Sequence, residues 1–131
     1  MRLPSYLNTL AHHAETSYPI ECCGLVVRSP RGELQVRPGQ NLEPSGHTFE
    51  LDPGTIIDTR KRGESIAGLY HSHCDGPATL SIADTESLLM GAVPLWPGVE
   101  IFVASVQRGR CVCVQRFVWN ESMQTYEPRE F

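Results

Sequence analysis

The order of strand-like and helix-like segments is the feature that most constrains what this chain can fold into. Short segments of strand-like pattern between turn residues occur at 21–29, 33–38, 49–52, 65–73, 99–107 and 110–119. Helices are predicted over 3–17, where apolar residues follow a helical stripe, and over 53–61 and 81–92. This order, α-β-β-β-α-β-α-β-β, predicts the α/β class with a mixed central β-sheet and helices packed on it.

Length and charge limit the architecture and the partners. With 131 residues, of which 40% are hydrophobic and 20% charged, the chain is expected to form one domain over residues 1–131. The net charge is −4, and the only adjacent cations are Arg60, Lys61 and Arg62, so no nucleic acid and no membrane are expected as partners. Neither a signal peptide nor a membrane-spanning segment is recognised, which predicts a cytoplasmic location. The oligomeric state is left open.

The five cysteines do not resemble a disulfide framework. Cys22 and Cys23 are adjacent, and one residue separates Cys111 from Cys113, so free thiols in a reducing compartment are expected. The second pair is interpreted as two residues on one face of a buried strand, because cysteine zinc sites commonly use paired Cys-x-x-Cys units. The absence of that motif also disfavours a thiol redox function for Cys22 and Cys23.

Residues 71–84, HSHCDGPATLSIAD, carry the strongest indication of chemistry. His71 and His73 close a strand, and because side chains alternate along a strand, both point to one face with their backbones roughly 6–7 Å apart. Two imidazoles in that arrangement can bind one ion. The loop 74–80 can turn the chain so that Asp84, in the first turn of the next helix, adds an oxygen ligand. Three protein ligands with one open position are typical of catalytic zinc sites.

A simpler interpretation exists for part of this stretch. Ser81-x-x-Asp84 before an apolar run is also a capping box, with Ser81 as N-cap and Asp84 at the third helical position. Each feature alone is weak, but the two histidines and the aspartate together, at a strand–loop–helix junction, favour the metal site. We expect that Asp84 cannot both serve a metal fully and close a capping box.

Amide hydrolysis also needs a group that transfers protons, because the leaving nitrogen must be protonated. Glu21, at the start of the predicted strand 21–29, is the candidate. Glu50 and Asp52 are alternatives that the residues alone leave open.

The spacing His-x-His-x(7)-Ser-x-x-Asp, with an upstream acid in Pro-x-Glu-Cys-Cys-Gly, resembles the signature of the JAMM (JAB/MPN+) metalloproteases and matches it at every position. The resemblance covers roughly residues 1–107 and is that of a stand-alone bacterial or phage-type domain. It implies the MPN fold, an α/β/α sandwich related to the cytidine deaminases. A nucleobase deaminase is disfavoured, because the His-x-Glu…Pro-Cys-x-x-Cys signature is absent.

The same resemblance implies roles for individual residues. His71, His73 and Asp84 would bind one Zn²⁺ per chain, with water as the fourth ligand. Glu21 would act as general base and then as general acid, and Ser81 would stabilise the oxyanion of the tetrahedral intermediate. The implied activity is zinc-dependent hydrolysis of a peptide or isopeptide bond, although another divalent metal is not excluded.

Cys74 departs from the family pattern, which often has proline after the second histidine. If the strand continues, alternation points Cys74 away from the histidine face and predicts that it is inert. The alternatives are that Cys74 tunes access to the site or becomes a fourth ligand that silences it.

Two substrate classes follow from the resemblance. Stand-alone bacterial members resemble proteases that process ubiquitin-like proteins, including small sulfur-carrier proteins that end in Gly-Gly. Such a tail needs a narrow groove, for which loop 38–48 is the predicted wall. The alternative is a phage tail-assembly peptidase acting on a tail protein or a cell-wall peptide, which the HAE…YPxECCG opening at 13–24 resembles. A non-catalytic interaction module is the rival from a different class.

Overall fold

The computed structural model describes residues 2–43, 45 and 48–131. The strands are β1 (Cys23–Arg28), β2 (Leu34–Pro38), β3 (Ser65–Cys74), β4 (Leu89–Met90), β5 (Val93–Pro94), β6 (Glu100–Gln107), β7 (Arg110–Asn120) and β8 (Thr125–Arg129). A 3₁₀ turn at Ser5–Leu7 leads into α1 (Asn8–Ser17), and the later helices are α2 (Pro53–Lys61) and α3 (Ile82–Ser87). Six strands form the central sheet in the order β2-β1-β3-β6-β7-β8, and β4 pairs with β5 as a separate hairpin.

The central sheet is mixed, as predicted. β3 and β6 are parallel, whereas the other neighbouring strands are antiparallel. A parallel pair requires a crossover connection, and the segment between β3 and β6 provides it with α3 and the β4–β5 hairpin. This crossover brings the start of α3 to the carboxyl end of β3, where the two histidines lie.

The apolar stripe of α1 packs against one face of the sheet. The buried residues of this core are Leu7, Leu10, Ala14, Cys22, Val26, Val36, Tyr70, Phe102, Ala104, Val106 and Val114. Gly24 of β1 is needed beneath the largest of these side chains, because a Cβ at this position would lie 2.5 Å from the ring of Tyr70. The glycine in the motif upstream of the histidines therefore has a packing role.

The opposite face carries a second core and a cleft. The buried residues of this core are Leu88, Ile101, Val103, Phe117 and Tyr126. α2 lies over β1 and β3 on one side of the cleft, and α3 with its hairpin lies on the other. Helices on both faces of the sheet make the predicted α/β/α sandwich.

Two predicted elements differ from the structure, the strand 49–52 and the helix 81–92. The predicted strand 49–52 contributes one isolated bridge, between Asn41 and Leu51. Side-chain hydrogen bonds of Asn41 organise this segment instead: its amide oxygen accepts from the N–H of Glu50, and its amide nitrogen donates to the carbonyl of Thr48. The predicted helix 81–92 ends at Ser87, because the apolar run that follows forms the β4–β5 hairpin.

The predicted strands 99–107 and 110–119 are confirmed as β6 and β7, which pair as an antiparallel hairpin, whereas the sequence pattern does not predict β8. Its sequence, TYEPR, lacks the alternation of a half-buried strand and contains Pro128. Proline is tolerated there because β8 is an edge strand, where one row of backbone N–H groups faces away from the sheet. Tyr126 is its buried residue, in edge-to-face contact with Trp119 of β7.

Candidate metal and catalytic site

The carboxyl end of β3 presents both histidines to the cleft. β3 runs through Cys74, so the strand alternation holds as far as His73. His71 is 3% exposed and His73 is half-buried. Ser72 points to the α1 face, where its hydroxyl accepts a hydrogen bond from the backbone N–H of Cys22 at 2.8 Å. Ser72 therefore has a structural role on the face opposite the two histidines, as strand alternation requires.

The loop after β3 is fixed by Asp75. This residue has a φ of 61°, a left-handed conformation that aspartate tolerates better than most residues. Its N–H donates to the carbonyl of Val106 at 2.7 Å. Its two carboxylate oxygens accept from the N–H of Arg108 at 2.8 Å and from the hydroxyl of Tyr18 at 2.6 Å. These bonds determine where the chain turns back toward α3.

His71, His73 and Asp84 converge on one point. The Nε2 atoms of the two histidines are 3.2 Å apart, and they lie 3.2 Å and 3.1 Å from Oδ2 of Asp84. A tetrahedral zinc with bonds of about 2.0–2.1 Å separates its ligand atoms by about 3.3–3.4 Å. Three electronegative atoms this close require a shared proton or a cation between them. The donor set therefore fits a divalent metal, and its assignment to zinc remains a prediction.

Two contacts outside the ligand set orient the histidines. Nδ1 of His73 lies 2.8 Å from the carbonyl of Pro77, so a proton on Nδ1 leaves the Nε2 lone pair directed at the metal position. The ring of Phe49 stacks on His71 with a centroid distance of 4.5 Å and an interplanar angle of 19°. Neither contact was predicted, because both partners lie in loops whose paths a sequence pattern does not define.

Asp84 uses one oxygen, Oδ2, both for the capping box and for its contacts with His71 and His73. His71, His73 and Asp84 form the triad of this site. Ser81 is the N-cap of α3: its hydroxyl accepts from the N–H of Asp84 at 3.0 Å, and Oδ2 of Asp84 accepts from the N–H of Ser81 at 3.0 Å. The expectation that these two roles exclude each other is not supported by the geometry of this site. The cap instead holds the carboxylate in the orientation in which it meets both imidazoles.

The electrostatics of the triad match this arrangement. Burial lowers the pKa of His71, and the hydrogen bond to Asp84 raises the pKa of His73. Burial opposes ionisation of Asp84, but the contacts with the two histidines outweigh it and hold the pKa of Asp84 well below its usual range. The triad therefore combines a carboxylate, a neutral imidazole and an imidazole that readily takes a proton.

Glu21, predicted at the start of a strand, lies two residues before β1 and lines the same cleft. Burial raises its pKa to about 7; the charge of His73 opposes this change and the charge of Asp84 adds to it. The competing acids are elsewhere. Glu50 is exposed, and the carboxylate of Asp52 caps α2 by accepting from the N–H of Gly54. The structure thus brings Glu21, and neither alternative acid, to the triad.

The cleft is a cavity of about 590 Å³. Its lining residues are Glu21, Cys23, Gly24, Thr48, Phe49, Leu51, Ile56, Leu69, Tyr70, His71, His73, Ser81, Ala83, Asp84, Ser87, Leu88, Trp96 and Ile101. The ionisable histidines and acids lie together at one end, and mainly aliphatic and aromatic side chains line the rest, together with Cys23, Thr48 and Ser87. Thr48, the last residue of the predicted wall 38–48, and Phe49, which follows it, both line the cavity. Within that wall, residues 44, 46 and 47 lie outside the described residues.

Cys74 lies outside the donor cluster. Of the described residues, those that could together hold a metal are His71, His73 and Asp84. Cys74 is half-buried, and burial raises the pKa of its thiol. A fourth-ligand role for Cys74 is therefore not supported, which agrees with the prediction from strand alternation.

Comparison with known proteins defines the family. The model of the prokaryotic homologs of the JAB domain matches residues 3–117, and the chain belongs to this family. It is 34% identical over 97 residues to the tail tip assembly protein K of Escherichia phage N15, an alignment that covers 70% of this chain and 39% of that protein. The chain thus spans about two fifths of the length of this curated relative.

Two solved structures share the fold. A protein from Desulfitobacterium hafniense superposes with a TM-score of 0.70 and 25% identity, covering 96% of this chain and 86% of that one. A protein from Salinibacter ruber superposes with a TM-score of 0.68 and 23% identity, covering 98% of this chain and 87% of that one.

Among the described residues, no helix combines the length and apolar character required to cross a bilayer.

Proposed function

We propose that this protein is a zinc-dependent hydrolase of peptide or isopeptide bonds. The observation that carries the proposal is the convergence of His71 Nε2, His73 Nε2 and Asp84 Oδ2 within 3.2 Å of one another in the cleft that Glu21 lines. When bound by these three residues, zinc would supply a Lewis acid that makes water more acidic and polarises the scissile carbonyl.

Glu21 is the proposed proton-transfer group. A carboxyl group with a pKa of about 7 can accept a proton from water and return it to the leaving nitrogen near neutral pH. The hydrogen bond from the Nδ2 group of Asn41 to the carbonyl of Glu21, at 2.9 Å, holds the backbone at this position. Glu21 is thus anchored by the loop that forms one side of the cleft.

Ser81 is the proposed oxyanion donor. Its hydroxyl oxygen accepts from the N–H of Asp84, a bond that leaves the hydroxyl proton available to a substrate in the cleft that Ser81 also lines. Capping and donation use different parts of one hydroxyl group. A single serine can therefore start the helix and stabilise developing negative charge.

Exchange of Glu21 for glutamine tests the proposal. The Glu21→Gln protein is expected to bind zinc with the wild-type stoichiometry and to have lost at least a hundredfold of the turnover. Glu33→Gln is the matched control, because Glu33 lies in the exposed turn before β2, and it is expected to cleave at the wild-type rate. Turnover by Glu21→Gln at the wild-type rate would show that another group transfers the proton.

Two substrate classes enter this proposal. The first is the Gly-Gly tail of a ubiquitin-like or sulfur-carrier protein, which the open cleft beside Glu21 could admit as an extended chain. The second is a tail protein or cell-wall peptide of a phage system, which the similarity to a tail tip assembly protein favours. Cleavage of Gly-Gly fusions, set against cleavage of tail-protein and cell-wall peptides, separates the two classes.

The rival functions make different predictions. A non-catalytic interaction module would bind its partner without cleavage and would be insensitive to Glu21→Gln. A thiol redox protein would need a reactive thiolate, but burial raises the pKa of Cys22 to about 11 and that of Cys23 to about 12. Thiols with such pKa values are poor nucleophiles at neutral pH.

A further inference from the structure

The cavity extends well beyond the groups that the proposed chemistry uses. The donor atoms, Glu21 and Ser81 occupy one end of the cavity of about 590 Å³. Apart from Thr48 and Ser87, the remainder is lined mainly by apolar side chains that no step of hydrolysis requires. A cavity of this size lies in the range of sites that enclose a sizeable ligand group, so the apolar part needs an occupant.

The floor of this apolar part adjoins the metal site directly. Leu69 precedes His71 by two residues on the same face of β3, and Ile101 of β6 is its partner across the parallel ladder. Two residues along a strand correspond to about 6.5–7 Å. An extended substrate lying over His71 would therefore place a side chain above Leu69 within about two residues of the scissile bond.

The walls of this part are apolar on both sides. Ile56 of α2 and Leu51 stand on one side, and Leu88 and Trp96 stand on the other. No lysine or arginine is among the described lining residues, and the acids and histidines are confined to the metal end. A charged substrate side chain would lose its hydration here without gaining a partner.

We infer that the substrate carries a bulky apolar side chain within about two residues of the scissile bond, and that this side chain enters the pocket floored by Leu69 and Ile101. This inference rests on the proposed function. It argues against a tail of two glycines as the preferred substrate, because glycine has no side chain to bury and would leave the apolar walls in contact with water.

The helix α2 provides a matched pair of variants. Ile56 is half-buried and lines the cavity, whereas its neighbour Ile57 is 54% exposed and does not line it. Ile56→Asp places a charge inside the pocket, and Ile57→Asp places the same charge on the same helix outside it. Ile56→Trp fills the pocket without a charge and serves if Ile56→Asp fails to fold.

The test uses short acetylated peptides of alanine and serine whose central residue is phenylalanine, leucine or glycine, and a further peptide that ends in Gly-Gly. Binding to zinc-loaded Glu21→Gln protein is measured by fluorescence anisotropy, and the indole N–H resonance of Trp96 is followed by NMR. Cleavage of the same peptides by zinc-loaded wild-type protein is measured by mass spectrometry.

We expect the phenylalanine and leucine peptides to bind about tenfold or more tightly than the glycine peptide and to shift the Trp96 resonance. Ile56→Asp or Ile56→Trp should remove this preference, and Ile57→Asp should keep it. Equal or tighter binding of the glycine or Gly-Gly peptides, or a preference that survives both Ile56 variants, would overturn the inference. Cleavage that favours the Gly-Gly peptide would also overturn the inference of an apolar side-chain pocket, and it would support the proposed peptidase function.

The inference and the proposed function can fail separately. Binding that prefers apolar peptides without zinc-dependent cleavage of any peptide would remove the peptidase and retain the pocket as a peptide-binding pocket.

Discussion

Replacement of Glu21 by glutamine is expected to stabilise the metal-free protein at pH 8. The carboxyl group is held in a partly buried position where burial raises its pKa from the ordinary 4.5 to about 7. Folding at pH 8 therefore confines an ionised carboxylate that is better solvated in the unfolded chain. Glutamine keeps a similar shape and carries no charge, so the penalty disappears.

The magnitude follows from the two pKa values. At about 1.36 kcal/mol per pKa unit, the change from 4.5 to about 7 corresponds to about 3.4 kcal/mol. Because Glu21 is only partly buried, solvent screening reduces the expected gain to about 1–2 kcal/mol.

The contribution of the Glu21 carboxyl group to the free energy of unfolding changes with pH between its two pKa values. Below pH 4.5 the carboxyl group is protonated in both states, so it contributes no difference. Between pH 4.5 and about 7 the unfolded chain releases this proton first, and the wild-type protein loses stability as the pH rises. Above about pH 7 the penalty is fully developed and constant.

Urea denaturation of the two proteins in the presence of a chelator measures this effect. The free energy of unfolding of Glu21→Gln should exceed that of wild type by about 1–2 kcal/mol at pH 8 and should equal it at pH 4. Glu33→Gln, in an exposed turn, should match wild type at both pH values. Equal stabilities at pH 8, or the same difference at both pH values, would refute the assignment of a raised pKa to Glu21.

Four further outcomes are expected. His73→Ala should abolish zinc binding measured by atomic absorption, whereas His12→Ala, on the exposed side of α1, should retain about one zinc per chain. Zinc affinity should fall as the pH drops, because the contact with Asp84 raises the pKa of His73 and its proton must leave before a metal binds; equal affinities at pH 6 and pH 7.5 in a chelator competition would contradict this. Ser81→Ala should lower the free energy of unfolding by about 1 kcal/mol through loss of the helix cap and should keep the zinc stoichiometry. Loss of zinc from this variant would contradict the assignment of the metal to His71, His73 and Asp84 without Ser81. Ser72→Ala leaves the buried backbone N–H of Cys22 without its partner and should cost about 1–3 kcal/mol in thermal or urea denaturation; an unchanged midpoint would show that another group satisfies this N–H.

Strand periodicity was the most reliable guide to the fold. Alternation along the predicted strand 65–73 places His71 and His73 on one face and directs Cys74 away from it, which agrees with β3 and with the position of Cys74 outside the donor cluster. It failed for β8, because an edge strand with one buried residue, Tyr126, has no alternating pattern to detect. It also failed for residues 89–94, whose apolar run is compatible with a continued helix as well as with a hairpin.

The site was predicted less completely than the fold. Its residue types and spacing are local features of the chain, and they indicated which groups could meet. The contacts that orient them, from Phe49 to His71 and from Pro77 to His73, depend on loop paths. Residue spacing alone does not show that Asp84 Oδ2 both accepts the capping hydrogen bond from Ser81 and contacts His71, because this depends on how α3 is placed against β3.

The two outer strands of the sheet have a consequence for how another chain can approach. β2 ends at Pro38, and β8 contains Pro128 followed by the exposed Arg129. Proline and charged residues on an edge strand resist the addition of a further strand from another molecule. The open sheet is thereby protected against edge-to-edge aggregation at both of its borders.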